Sequence, residues 1–170
     1  MTINEALEIR LAEDKQYLRR AYQSVDGVGN DACKGFNWYY KAAEHGDASA
    51  QYLVGLAYWT GEGVEKNVSE AFKCYRKAAE QGYHNAQRSL AIAYDNGIGV
   101  EQDELEGFKW KLKAAEQSGY ADEQWLVAMA YENGYGVEKN VREAIKWYRK
   151  AAEQGNEDAK KALSLLNATD

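Results

Sequence analysis

Between residues 48 and 83 the apolar positions follow two helical phases separated by a turn. Ala50, Val54, Gly55 and Tyr58 fall on one face of a first helix, and Phe72, Tyr75 and Ala78 on one face of a second. The pattern returns over 84–120, with Phe108 and Ala114 in the second helix, and over 121–156, with Ile145, Tyr148 and Ala151. These copies end YRKAAEQGY, KLKAAEQSGY and YRKAAEQGN, and a more divergent copy, 12–47, ends YYKAAEHGD. The period is 36 residues, stretched once to 37 near Ser118. A fixed period of this length marks stacked two-helix units, each burying its apolar face against its neighbours.

The first-helix columns have distinct characters. Leu18, Val54, Leu90, Val127 and Leu163 form a large apolar column. Gly55, Ala91, Ala128 and Ser164 form a small one, which lets the two helices of a unit approach closely. Tyr22, Tyr58, Tyr94 and Tyr131 form a third, whose rings are expected inside with hydroxyls turned to backbone partners. A Gly-x-Gly-Val turn follows at 61–64, 97–100 and 134–137. Glycine ends a helix in a left-handed conformation at no steric cost, and the valine tucks into the core. A phosphate-binding glycine loop would need a preceding strand and a third glycine, and would not occur three times at one period.

The second helix opens at Asn67, Asp103 and Asn140, each followed three residues later by Glu70, Glu106 or Glu143. This is the capping-box pattern: the cap side chain takes a free amide and the glutamate reaches back to the cap's own N–H. The glutamates are thereby assigned to helix ends and not to acid–base chemistry. Residues 157–170 read as a final first helix that caps the last core.

Proline is absent from all 170 residues, so nothing interrupts the helices or divides the chain, and a single solenoid domain over 1–170 is expected. The formal charge of −6 argues against a nucleic-acid partner, because phosphate binding needs a positive field. The opening MTINEALEIRLAEDK has no apolar signal core, and no stretch approaches the roughly 20 apolar residues of a membrane span. A cytoplasmic chain without membrane contact is expected. Cys33 and Cys74 lie in different repeat columns, and His45 and His84 lie at repeat junctions. They make no ligand set, so neither a metal nor a cofactor is expected.

The string Ala50-Gln51, Tyr58, Gly61-Glu62-Gly63-Val64, Ala71 and Tyr75-Arg76-Lys77-Ala78-Ala79-Glu80-Gln81-Gly82 resembles the SEL-one-like repeat, a relative of the tetratricopeptide repeat. Gln124, Tyr131, Gly134 and the run from Trp147 to Gly155 match it again. The departures lie in the first copy. Arg19 occupies the small column, Val25 replaces the first turn glycine, and Lys34 stands where a glutamate would follow Asp31. The resemblance implies an all-α fold, a right-handed α/α solenoid of repeats 12–47, 48–83, 84–120 and 121–156 with a C-terminal cap over 157–170. It also implies a non-catalytic protein–protein interaction module: a scaffold, an adaptor or a dedicated inhibitor. Bacterial members of the family occur among virulence-associated and toxin-neutralising proteins, so an immunity protein for an intracellular bacterial toxin is an alternative. A hydrolase is a more distant one, since no unique set of acid, base and nucleophile survives the repeat assignment.

By analogy with the tetratricopeptide helix phase, the first helices line a concave face, which would take a protein or peptide partner as a monomer. The expected partner-binding residues are Tyr52, Leu56, Trp59, Arg88, Ile92, Asp95, Trp125, Met129 and Glu132, with Asn96, Asn133 and Leu165 on the same face. Large apolar side chains ringed by polar ones describe an interaction hot spot. The competing reading is that neighbouring units cover Leu56, Ile92 and Met129. Trp38, Trp110 and Trp147 share a second-helix column and read as core.

Overall fold

In the computed structural model residues 16–25 and 31–167 are described. The expectations for 1–15, 26–30 and 168–170 lie outside them. The described elements are all helical: α1 (residues 16–23), α2 (Ala32–Glu44), α3 (Ala48–Thr60), α4 (Val68–Glu80), α5 (His84–Asn96), α6 (Glu104–Ser118), α7 (Ala121–Asn133), α8 (Val141–Glu153) and α9 (Glu157–Asn167). The chain forms two compact units, Met1–Ala86 and Gln87–Asp170, and α5 begins in the first and continues in the second.

Most of the described helix starts are set by side-chain caps, although Tyr120 at the start of α7 makes none. Asp31, Asp47, Asn67, Asp103 and Asn140 each accept the amide three residues on, Asp47 from Ala50 at 2.6 Å and Asn140 from Glu143 at 3.1 Å. The second half of the expected capping box is not made. Glu70, Glu106 and Glu143 turn forward to Lys73, Lys109 and Lys146, at 2.5–2.6 Å. The reason is that each cap N–H is already taken. Asn67, Asp103 and Asn140 donate to the carbonyls of Tyr58, Tyr94 and Tyr131 at 2.8–3.0 Å. The tyrosine column therefore serves the fold through its backbone as well as its rings. Phe36 meets Tyr58 and Phe108 meets Tyr131 edge to face, with centroids 5.5 and 5.1 Å apart.

The turns follow the glycine reading. Gly61 and Gly134 cap α3 and α7 at φ 76° and 81°. The second glycine has a further constraint. Gly63 lies so close to the Ala32 carbonyl, and Gly136 to the Glu104 carbonyl, that a Cβ at either would collide with backbone. The turn of one repeat is thus seated on the start of the preceding second helix, within each unit.

The small column performs as expected: a Cβ at Gly55 would stand 2.6 Å from the Tyr75 ring. In the first repeat Arg19 does not wedge the helices. Its guanidinium turns outward and meets Glu62 at 2.8 and 3.3 Å. Glutamines tie the first helix of a repeat to the end of its second: Gln81 to Gln51 at 2.8 Å, Gln87 to Gln117 at 2.7 Å and Gln154 to Gln124 at 2.8 Å. In the second unit Phe108, Val127, Ala128, Trp147, Tyr148 and Ala159 form the core, with Leu163 and Leu166 of α9 packed against it.

One core expectation is overturned. Trp147 is 8% exposed, but Trp38, in the same column, is 50% exposed. Trp147 sits inside the cluster that α9 helps to build, whereas the Trp38 ring stands edge-on against Tyr39 beside a shallow cavity lined by Ser24, Val25 and Asp47. Trp110 is half-buried, with the Lys113 ammonium 4.9 Å from its ring centroid.

Candidate protein-binding face

The first-helix positions expected to meet a partner behave differently in the two units. In the first unit the fold uses them. Tyr52 is 5% exposed and Leu56 1%, so neither offers its side chain to a partner. Tyr52 packs among Tyr17, Tyr75 and Tyr83, with ring centroids 5.2–6.5 Å apart. Thr60, at the end of α3, is buried and donates to the Leu56 carbonyl at 2.8 Å. Trp59 is half-buried, and the Lys66 ammonium lies 5.4 Å from its ring centroid.

In the second unit the same positions stay partly open. Ile92, Trp125 and Met129 are half-buried, and Trp125 and Met129 rest one side against the core. Leu165, which repeats the register of Met129 on α9, is 70% exposed. Arg88 keeps 46% of its side chain exposed while its Nε lies 3.5 Å from Glu123 Oε1. Glu123 is itself 5% exposed and stands where the second, third and last copies carry Ala50, Ala86 and Ala159. A buried carboxylate needs a partner, and Arg88 of α5 supplies it across to α7.

Two of the expected contact residues are drawn inward. Asp95 pairs with Lys111 of α6 at 2.6 Å, and the glycine at 107 leaves the room for it. Glu132 accepts the Tyr148 hydroxyl of α8 at 2.5 Å. Burial, then the hydrogen bond and the charge of Glu132, raise the Tyr148 phenol well above its ordinary value. Both carboxylates hold the two helices of a repeat together. The sequence held a signal for this: Lys111 interrupts a column of Tyr39, Tyr75 and Tyr148, in the one repeat that carries Asp95.

What remains on the open face of the second unit is Arg88, Ile92, Trp125, Met129 and Leu165, edged by Asn96 and Asn133. This is a surface of mixed apolar and polar side chains. On another face of the first unit, a groove between α2 and α4 is floored by Val54, Tyr58 and Cys74. Its charges are largely paired, Lys73 with Glu70 and Arg76 with Glu80. Burial pushes the Cys74 thiol up to about 11, which makes it a poor nucleophile. Among the described residues no helix is long and apolar enough to cross a membrane.

The family resemblance has independent support. The Sel1 repeat model matches residues 19–47, 48–83, 84–119 and 124–156. The chain belongs to the Sel1 repeat family. Solved Sel1-type structures agree with this. A Sel1 repeat protein from Oxalobacter formigenes is 35% identical, with a TM-score of 0.77, over 90% of this chain and 62% of its own. A protective antigen present in uropathogenic Escherichia coli strains, which displays an SLR fold, is 35% identical with a TM-score of 0.73, over 88% of this chain and 34% of its own. Helicobacter pylori cysteine rich protein B is 26% identical with a TM-score of 0.59, over 83% of this chain and 99% of its own. The chain spans less than two thirds of the first two relatives. No curated protein matches it. The fold is an all-α helical-repeat solenoid, and Sel1 repeats are in general non-catalytic interaction modules.

Proposed function

We propose that this Sel1 repeat chain is a non-catalytic module that binds a protein or peptide partner through the first-helix face of its second unit. The observation that carries the reading is that Leu165 is exposed and Ile92, Trp125 and Met129 are only half-buried, at columns that the first unit buries or leaves polar. Leu56 shows that an aliphatic side chain in this column can be fully covered. In the second unit the equivalent Ile92 and Met129 are half-buried and Leu165 is exposed, and apolar area left in water favours a partner that covers it. A scaffold, an adaptor and an inhibitor such as an immunity protein all work through a face of this kind, and the identity of the partner separates them.

The test is affinity capture from the native host, with wild type, Trp125→Ala and Met129→Ala compared at matched loading. A partner held by wild type should lose about 2 kcal/mol or more of binding in Trp125→Ala, while the melting temperature changes little. A partner held equally by all three proteins places the interaction elsewhere on the molecule.

A further inference from the structure

The first unit holds an aromatic site that its own repeat pattern leaves unfilled. Trp38, Trp110 and Trp147 share one column, and each is followed three residues later by a lysine: Lys41, Lys113 and Lys150. Residues three apart on a helix are neighbours. In two copies the pair closes. The Lys113 ammonium lies 4.9 Å from the Trp110 ring centroid, and the Lys150 ammonium lies 4.0 Å from that of Trp147. The negative face of an indole attracts a cation at this range. Among the described residues Lys41 makes no such contact, and Trp38 is 50% exposed.

The surroundings of the ring supply the rest of a cation site. Trp38 borders an open cavity of about 470 Å³, lined also by Ser24, Tyr39 and Asp47. Ordinary ligand clefts run from roughly 300 to 1,000 Å³. Asp47 is the one charged residue among the described residues that line it, so the lining carries a negative charge and no positive one. Asp47 Oδ1 accepts the Ala50 amide at 2.6 Å, which fixes the carboxylate at the start of α3. Its Oδ2 takes no partner among the described residues. The Ser24 hydroxyl donates to the Ala21 carbonyl at 2.7 Å, so its proton is committed and its oxygen is left as an acceptor. Tyr39 donates to the same carbonyl at 3.0 Å and stacks on Tyr22, with centroids 5.8 Å apart. Trp38 meets Tyr39 edge to face at 4.9 Å. The aromatic wall is thus held in place before a ligand arrives.

The donor and acceptor set selects an ammonium over a guanidinium. A guanidinium favours two carboxylate oxygens in a parallel fork, and Asp47 has one left. An ammonium is a compact charge with three donors, which suits one carboxylate oxygen, one hydroxyl and an indole face. The formal charge of −6 also draws cations toward the chain.

We propose that this cavity binds a primary alkylammonium group. The cation rests against the Trp38 indole, with one N–H donated to Asp47 Oδ2 and one to Ser24 Oγ. A partner's lysine side chain and a free aliphatic amine carry the same head. The site lies in the first unit and does not depend on the first-helix face of the second.

The experiment is a titration of the full chain, followed by the indole N–H signal of Trp38, which is identified by its loss in Trp38→Phe. The probes are n-butylammonium chloride, a Gly/Ser peptide with one central lysine, and the same peptide with that lysine acetylated. Both cations should shift the Trp38 signal saturably and leave the other indoles in place. The acetylated peptide lacks the charge and should bind about fivefold more weakly or worse. Asp47→Asn keeps a good helix cap and removes the charge, so melting should hold while binding falls about threefold or more. Trp38→Leu, read by saturation transfer to the ligand, should show only background. A lysine peptide that binds tighter than n-butylammonium identifies a protein lysine as the source, and one that binds no tighter identifies a free amine; either supports the site. No shift at Trp38, equal binding of the acetylated peptide, or full binding to Asp47→Asn would overturn it. So would nuclear Overhauser contacts that seat Lys41 on the Trp38 ring in the free protein, because the site would then be filled from its own helix as in the other two repeats.

Discussion

Lys111 holds Asp95 at 2.6 Å, with 16% and 26% of the two side chains exposed. One repeat later the same two columns hold Tyr148 and Glu132, joined by a hydrogen bond of 2.5 Å. A charged pair in one repeat and a phenol–carboxylate bond in the next perform the same task, fastening the end of a first helix to the middle of its second.

Asp95→Ala and Lys111→Ala should therefore each destabilise the fold by about 1–2 kcal/mol, because each leaves a partly buried partner unpaired. A double-mutant cycle should return a coupling near 1 kcal/mol. Coupling indistinguishable from zero in chemical denaturation would mean that the pair is a solvated contact. Partner binding should be unaffected by Asp95→Ala.

The raised phenols give a pH signature. Tyr22 and Tyr148 titrate above the ordinary tyrosine value of 10.0, both chiefly because burial disfavours the phenolate. A group with a raised folded pKa contributes stability fully present below its unfolded value and lost as pH rises through the folded one. The melting temperature should hold up to about pH 10 and fall above it. Tyr148→Phe should lessen the alkaline fall. Ultraviolet titration of the phenolate band gives the check: two tyrosines that ionise with the rest would remove the basis of this prediction.

Gly55→Leu should cost about 2 kcal/mol or more through overpacking, since even a Cβ would stand 2.6 Å from the Tyr75 ring and 3.3 Å from the Ala71 carbonyl. A loss below roughly 0.5 kcal/mol would show that the ring moves aside freely.

Trp147→Ala should cost about 3 kcal/mol or more, and Trp38→Ala less than about 1 kcal/mol, although the two share a repeat column. Exposure of 8% for Trp147 against 50% for Trp38 makes the difference. Deleting residues 157–170 should make the second unit melt earlier and self-associate, because Leu163 and Leu166 pack on the core that holds Trp147. Light scattering and calorimetry on the truncated chain decide it.

These cases mark where the repeat pattern was legible and where it stopped. Gly55, the caps at Asn67, Asp103 and Asn140, and the turn glycines were readable because each is fixed by local geometry and recurs at one period. The forward turn of Glu70 was not, because it depends on the Tyr58 carbonyl having reached the cap first. The inward turn of Asp95 and Glu132 depends on single residues of the second helix, Lys111 and Tyr148, to which a reading of the first helix alone is blind. The burial of Tyr52 and Leu56 against the openness of Met129 and Leu165 depends on which side chains surround each copy, and a column treats all copies alike.

The seating of Gly63 on the Ala32 carbonyl and of Gly136 on the Glu104 carbonyl is a joint of backbone against backbone. No side chain of the recognition columns takes part in it. Stacking and specificity are thereby written in separate letters. A side chain of the open face that the fold does not use, such as Leu165 at 70% exposure, is free to change or to be redrawn by design, while the turns stay seated through Gly63 and Gly136. A family built this way can diversify its targets without renegotiating how its repeats fit together.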